Sequence, residues 1–325
     1  MQFFSKYKRI ILFAVKVLVV VIAWWYIYEK IIKSAHDFYR ISFTPEIITA
    51  IVLACAIMPL NWMLEAKKWH VLITPILKIS YAKALQGTLI GITFGFVTPN
   101  RIGDIGGRSI VLPSHQKHGV IASSIGSMLQ LFVTIIMGVL GIIALFLFVP
   151  HPETIQTLMY ISFIIALIVC ISVIILFRKK IVQKIVLRII GVSKYKKVAH
   201  TFSLYSSKTI YKACTLAILR YVVFSSQYYI LLHAFFPQLS FIQNVVGITL
   251  SYLFATLIPS SILGELGVRG SVSVFIFGLF SAAALHVFQV SLLIWLINLA
   301  VPVVIGSFLL VVFRSQKKAN TQIVP

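Results

Sequence analysis

Apolar runs at 10–28, 47–64, 119–149, 155–177, 213–236 and 289–313 follow one another through the chain, each long enough to cross a bilayer. Hydrocarbon offers no water to backbone N–H and C=O groups, so a spanning segment must bond to itself as a helix or close with others into a barrel. These runs are too long and too continuously apolar for barrel strands, which alternate polar and apolar residues. The expected fold is an all-α polytopic membrane protein with about six full transmembrane helices.

Composition agrees. With 60% hydrophobic and 11% charged residues and a mean hydropathy of +1.01, no stretch is left for a separate water-soluble domain. A net charge of +22 would suit nucleic-acid binding if it were gathered on a soluble face. Instead the Lys and Arg residues fall in short loops between apolar runs, where they set membrane orientation, and no nucleic-acid partner is expected. Cys55, Cys170 and Cys214 lie inside apolar runs without metal-ligand spacing and read as small apolar side chains.

The basic loops fix the topology. Lys6, Lys8 and Arg9 precede the first run, Lys67, Lys68, Lys78 and Lys83 follow the second, and Arg314, Lys317 and Lys318 follow the last. Residues 178–212 hold ten basic residues and no acid. These segments are cytosolic by the positive-inside rule, which puts both termini inside a plasma (inner) membrane, with 29–46 and the Pro150–Glu153 turn outside. The first run is expected to be a retained span, since it is long, contains Lys16 and lacks a small-x-small cleavage site. Within 178–212, Ile181, Val182, Ile185, Val186, Ile189 and Ile190 share a helical face opposite Lys180, Gln183, Lys184 and Arg188. That pattern predicts a cytosolic amphipathic linker on the inner membrane surface, with room for a soluble partner.

Two polar interruptions stand out against this background. Thr98-Pro99-Asn100-Arg101-Ile102-Gly103-Asp104-Ile105-Gly106-Gly107-Arg108 is echoed 161 positions later by Ile258-Pro259-Ser260-Ser261-Ile262-Leu263-Gly264-Glu265-Leu266-Gly267-Val268-Arg269. The first region, 84–112, has cytosolic loops at both ends, and the second, 241–285, has outside ends, so each must return to the side it left. They are expected to be re-entrant helical hairpins entering from opposite faces, an inverted-repeat arrangement of the kind that builds a transporter site near the midplane. Counting each hairpin as two spans gives ten helices, and charge alone does not separate the two counts. The chain reads as one integral membrane domain, 1–325, with a first half at 1–149, the linker at 178–212 and a second half at 213–313.

Five of the 29 basic residues fall at membrane depth: Lys16, Arg101, Arg108, Arg220 and Arg269. Lys16 and Arg220 lie within two or three turns of their expected span starts and are read as snorkelling to the interface. The other three accompany Asp104 and Glu265, and both motifs place the acid four residues before an arginine, the spacing of an intrahelical ion pair. Two readings stay open. The pairs neutralise one another and pin the hairpins, or they line a polar cavity in which Arg101, Arg108 and Arg269, with Asn100, bind a phosphate. Arg101 favours the second, having no repeat counterpart and no spare acid. Asp104 and Glu265 are then charge-pairing or coupling residues. Pro99, Gly103, Pro259, Gly264 and Gly267 mark the hairpin breaks, with Thr98 or Ser260 as caps and half-helix N–H groups directed at the anion. Gly87, Gly91 and Gly95 recur every four residues as a close-packing stripe.

No phosphate-binding loop, Gly-x-Ser-x-Gly or His-Glu-x-x-His motif is present, and His115-x-x-His118 reads as two surface histidines. Accordingly no catalytic residue, metal or cofactor is assigned, and the chain is read as a non-enzyme.

The block Phe96-Val97-Thr98-Pro99-Asn100-Arg101-Ile102-Gly103-Asp104, followed by Arg108 and Leu112, resembles the transmembrane region of the lysylphosphatidylglycerol synthase family, as does Pro259 through Gly264-Glu265-Leu266-Gly267-Val268-Arg269. Asp104 stands where that family has Glu, Glu265 where glycine is common, and Gly270 where an acid follows the arginine. The region is the flippase half of the multiple peptide resistance factor and also occurs as a stand-alone, flippase-like membrane protein. The resemblance implies lipid translocation without the synthase activity, with an anionic phospholipid or polyprenyl-phosphate head group bound between the hairpins. A membrane-embedded lipid-modifying transferase and a non-transporting scaffold are the rival readings.

Overall fold

The structure is a computed structural model describing residues 21–30, 44–98, 101–148, 205–258 and 262–322, together with the helical positions Leu18 and Ile164. Of the expected span at 155–177 only Ile164 is included, and the amphipathic face at 181–190 lies outside the described residues. The described residues form helices and no strands: α1 (Pro45–Ile73), α2 (Tyr81–Phe96), α3 (Ile102–Gly107), α4 (Gln116–Phe148), α5 (Ser207–Phe235), α6 (Phe241–Leu257), α7 (Ile262–Gly278), α8 (Ala284–Trp295) and α9 (Val301–Gln322). Residues 21–30 are also helical.

Small polar residues set where these helices begin. The hydroxyls of Thr44, Ser80, Ser206 and Ser240 accept from the backbone N–H three residues on, and Ser240 with Gln243 completes a capping box. Among the described residues four segments are long and apolar enough to cross a membrane: Pro45–Ile73, Pro113–Phe148, Ser207–Phe235 and Ala284–Phe313. The chain is a multi-pass membrane protein. On these helices large apolar side chains such as Val52, Val222 and Phe308 are exposed, while alanines such as Ala54, Ala213 and Ala217 are buried where helices meet. That inversion of the water-soluble pattern is expected where lipid covers the outside and close helix approach supplies the packing.

Helices α1 and α5 form the central pair. Gln227 Nε2 donates to the carbonyl of Ala54 at 2.8 Å, tying them together. Two hydrophobic cores form along the pair. One gathers Trp69, Leu72 and Ile73 from the end of α1 and Ala213, Ala217 and Tyr221 from the start of α5 around Ala84, Ile90 and Val111 of the first hairpin. The other gathers Ala50 and Ala54 from the start of α1 and Leu231, Leu232 and Phe236 from the end of α5 around Ile248, Val274 and Phe277 of the second. The pair is therefore antiparallel, and the hairpins pack toward its opposite ends.

In the first hairpin, α2 ends at Phe96 and the chain returns as α3 and a 3-10 turn, Arg108–Val111. The glycine stripe on α2 makes this return possible. A Cβ on Gly91 would lie 2.5 Å from both Arg108 Cγ and Asp104 Oδ1, and one on Gly95 would lie 2.9 Å from Asp104 Cβ. A Cβ on Gly87 would lie 3.0 Å from the Arg108 carbonyl. In the second hairpin, α6 ends at Leu257 and α7 starts at Ile262, so Gly264 and Gly267 sit inside a helix rather than at the break. Gly267 instead leaves space for Trp24 of the N-terminal helical stretch, whose Nε1 would lie 2.8 Å from an added Cβ.

If the stripe positions the hairpin, Gly91→Leu will overpack it at a cost of roughly 1–3 kcal/mol. Gly106→Ala, where an added Cβ meets nothing within 4 Å, will be neutral. Thermal unfolding in detergent micelles should separate the two variants, and equal melting temperatures would refute this role for Gly91.

Candidate functional site

The break in the first hairpin is closed by Thr98. Its hydroxyl donates to the Phe94 carbonyl at 3.0 Å and accepts from Gly103 N at 2.7 Å, while Arg101 N donates to the Thr98 carbonyl at 3.1 Å. Gly103 is required there, because a side chain would run into the Phe94 carbonyl and lie 2.6 Å from the Thr98 hydroxyl. Arg101 is the N-cap of α3 with φ of 55°, a left-handed conformation that non-glycine residues adopt only when the surroundings hold them there. The Gly103 N–H is thereby already taken and is not directed at an anion. Pro99, Asn100 and Pro259 lie outside the described residues.

Arg101 reaches the other hairpin. Its Nε and a terminal nitrogen bond the Glu265 carboxylate at 3.0 and 2.8 Å, and Arg269 Nε bonds Glu265 Oε1 at 3.0 Å. Glu265 thus bridges an arginine from each hairpin. The expected pairing of Glu265 with Arg269 is present, but the expectation that Arg101 had no acid to spare is corrected. Two positions that sequence spacing set 164 residues apart share one ion pair.

The second cluster centres on Arg108 and Glu65. Arg108 Nε and one terminal nitrogen bond the two Asp104 oxygens at 2.9 and 2.7 Å, as the four-residue spacing predicts, and its other terminal nitrogen bonds Glu65 Oε1 at 2.7 Å. Glu65 Oε2 lies 2.7 Å from Lys68 Nζ and 3.2 Å from an Arg220 terminal nitrogen. Lys68 also donates to Gln130 Oε1 at 3.2 Å, and Arg220 Nε donates to Asn61 Oδ1 at 3.0 Å. Asn61 Nδ2 continues the chain to Asn298 Oδ1 at 2.6 Å. The Arg220 guanidinium also lies 5.2 Å from the Trp62 ring centre, a cation–π arrangement.

Three expectations change here. Glu65 and Lys68 read as cytosolic loop residues, yet α1 continues through them to Ile73 and both are buried. Arg220 read as snorkelling from a span starting at 213. The Ser206 cap starts α5 at Ser207, which puts Arg220 near the middle of the helix, roughly 20 Å from either end at 1.5 Å per residue. Glu65 therefore joins Asp104 and Glu265 as a third carboxylate away from water. Sequence reasoning also missed Asn298, which sits in a π turn, Leu296–Ala300, between α8 and α9. Pro302 accounts for the turn, because its ring clashes with the carbonyl four residues back, that of Asn298. The intrahelical charge at 65 and 68 and the proline at 302 were the sequence signals for these residues.

Both clusters border one cavity of about 330 Å³, lined by Arg101, Asp104 and Arg108 from the first hairpin, Arg269 from the second, and Glu65, Lys68 and Arg220 from the central pair. Arg108 and Arg269, the two arginines of the repeated motif, therefore face a common space. Among the described residues the cluster contains five cations, Lys68, Arg101, Arg108, Arg220 and Arg269, against three carboxylates, Glu65, Asp104 and Glu265. It carries two positive charges in excess. The cations differ in access: the Arg108 side chain is 5% exposed, whereas Arg101 and Arg269 are 37% and 38% exposed.

A family model for the lysylphosphatidylglycerol synthase TM region matches residues 11–306. The chain belongs to that family. The match spans both hairpins and every charged residue of the cavity. No curated protein and no solved structure was found to match the chain.

The two arginines should respond differently to truncation. Arg108→Ala leaves two carboxylates short of a partner in a buried setting and should cost about 3–5 kcal/mol. Arg269→Ala removes a partly exposed cation whose Glu265 partner keeps Arg101, and should cost less than about 1 kcal/mol. Equilibrium unfolding of both variants in mixed micelles measures the difference, and equal losses would contradict it.

Proposed function

We propose that this protein is a flippase-like lipid transporter that binds the anionic, phosphate-bearing head group of a phospholipid or polyprenyl phosphate in the cavity between its two hairpins. The observation that carries the reading is the excess of two positive charges in a cavity walled by both hairpins. An unbalanced charge away from water is expensive, so a surplus of this size marks a place where a mobile anion completes the site. Arginine is suited to the task because its planar fork matches phosphate geometry. A volume of about 330 Å³ is at the small end of ligand pockets, which run from roughly 300 to 1,000 Å³, and so fits a head group rather than a whole lipid.

In this reading Arg101 and Arg269 meet the phosphate, while Arg108, with both edges of its guanidinium on Asp104 and Glu65, holds the first hairpin in register. Asn100 is proposed as a further head-group ligand and Pro99 and Pro259 as hairpin breaks, and entry of the two hairpins from opposite membrane faces is proposed to give access from each side in turn. Transport is proposed to take place in the plasma (inner) membrane, with both termini cytosolic, as the loop charges direct. The chain works as a single domain, with the basic 178–212 linker held against anionic lipid on the cytosolic surface and open to a soluble partner.

Reconstitution in liposomes with fluorescent head-group-labelled lipids tests the assignment. Arg101→Ala and Arg269→Ala should each reduce the rate of lipid movement at least tenfold while leaving the fold intact. Movement at the unaltered rate in both variants would remove the cavity from the transport path.

A further inference from the structure

The two ends of the charged cluster are built differently, and the difference bears on which anion fits. At the closed end, Arg108, Lys68 and Arg220 are 5%, 1% and 16% exposed and each is already bonded to a carboxylate. At the open end, Arg101 and Arg269 are more than a third exposed and share a single carboxylate. Arg101 presents only one edge to Glu265, and Arg269 contacts it through Nε alone. A guanidinium has five N–H donors, so both retain a free edge for a further acceptor.

Glu265 itself sits as an anionic ligand would. Its planar carboxylate lies between two arginine forks from two separate hairpins, with Oε1 accepting from both. It also occupies the first turn of α7, where the helix dipole stabilises a carboxylate whether or not the arginines hold it. Loss of the two arginines would therefore leave Glu265 in a tolerable place.

Charge then selects among anions. The chain has seven acidic residues, and three are in this cluster. Glu46 is on the first turn of α1, about 28 Å along the helix from Glu65. Glu29, Asp37 and Glu153 fall in segments the sequence assigns to outside loops. Among the described residues no other carboxylate borders the cavity to offset the two surplus charges. A phosphodiester carries one negative charge and would leave the site one short, whereas a phosphate monoester approaches two negative charges above its second pKa of about 6 and offers three terminal oxygens to two forks.

We propose that the Arg101–Arg269 pair is a subsite for a phosphate monoester head group, and that the Glu265 carboxylate holds this subsite until the dianion takes its place between the two hairpins. The proposal rests on the transport reading above and narrows its substrate class to lipids ending in a phosphate monoester, such as phosphatidic acid or a polyprenyl phosphate, over phosphodiester lipids such as phosphatidylglycerol.

Isothermal titration of the full chain in detergent at pH 8 and low salt, with short-chain phosphatidic acid, short-chain polyprenyl phosphate, short-chain phosphatidylglycerol and inorganic phosphate, tests it. The two monoester lipids should bind at least tenfold more tightly than phosphatidylglycerol, and the tighter of the two identifies the source. Inorganic phosphate should compete at higher concentration; if it binds as tightly as the lipids, the subsite holds but serves the free anion. Glu265→Gln should tighten monoester binding at least threefold, because a weaker internal competitor is displaced. Arg101→Lys, which keeps the charge but loses the fork, should weaken it about tenfold. If Glu265→Gln is poorly folded, Glu265→Asp, one methylene shorter, is expected to tighten binding in the same direction. Equal affinity for monoester and phosphodiester lipids, no measurable binding of any of them, or unaltered affinity in the folded Glu265 variant overturns the proposal. Phosphatidylglycerol that binds equally well and is still moved across liposomes overturns it while the transport reading stands. A monoester preference without lipid movement in any variant has the reverse meaning.

Discussion

The Glu265 carboxylate, held between Arg101 and Arg269, is the polar contact that links the two hairpins. Each hairpin packs around its own end of the α1 and α5 pair, within its own hydrophobic core. The bridge between Arg101 and Glu265 joins the polar tips that those cores do not reach. Hydrophobic burial decides where each hairpin lies along the pair, and the ion pair joins a residue of one hairpin to a residue of the other. Arg101, which makes this contact, is also the left-handed N-cap of α3.

Charge away from water explains the rest of the polar interior. Glu65 touches three cations and Arg108 touches two carboxylates, so no member of the closed end stands alone. Arg220 gains from Asn61, from Glu65 and from the Trp62 ring. Such networks are costly to assemble and costlier to break at one point. They fix a geometry more than they add net stability. At the closed end the geometry fixed is that of α1, α5 and the first hairpin. The open end, where the arginines are partly exposed and share one acid, is the part of the network free to change partners.

Close packing makes that network possible. The glycines of α2 bring the backbone of the returning segment near enough for Asp104 and Arg108 to lie against the helix, and a larger residue at Gly91 would occupy the space their side chains need. A proline performs the corresponding task across the cavity. Pro302 opens the helix by one π turn, and the opened turn carries Asn298, which completes the chain of polar contacts from Glu65 through Arg220 and Asn61.

The sequence by itself determined the class of the protein, the helical runs among the described residues and the two interrupted segments, because apolar stretches too long and continuous for barrel strands satisfy their backbone in hydrocarbon as helices, and Gly-Pro-rich polar stretches cannot continue them. It also determined the pairing of Asp104 with Arg108 and of Glu265 with Arg269, since a spacing of four is a local property of a helix. The tertiary structure alone decided the partners of Arg101, Glu65, Lys68 and Arg220. Glu65 and Lys68 do pair locally, three residues apart on α1, but the contacts of Glu65 with Arg108 and Arg220, of Lys68 with Gln130 and of Arg101 with Glu265 lie between elements, and spacing along the chain carries no information about which face of one helix meets which face of another. The error over Arg220 shows the limit: a difference of six residues in where a helix starts moved the side chain from the reach of the interface to the middle of the protein. What turned two similar motifs into one charged cavity was the antiparallel packing of α1 and α5, which brought opposite ends of the sequence's pattern to the same place.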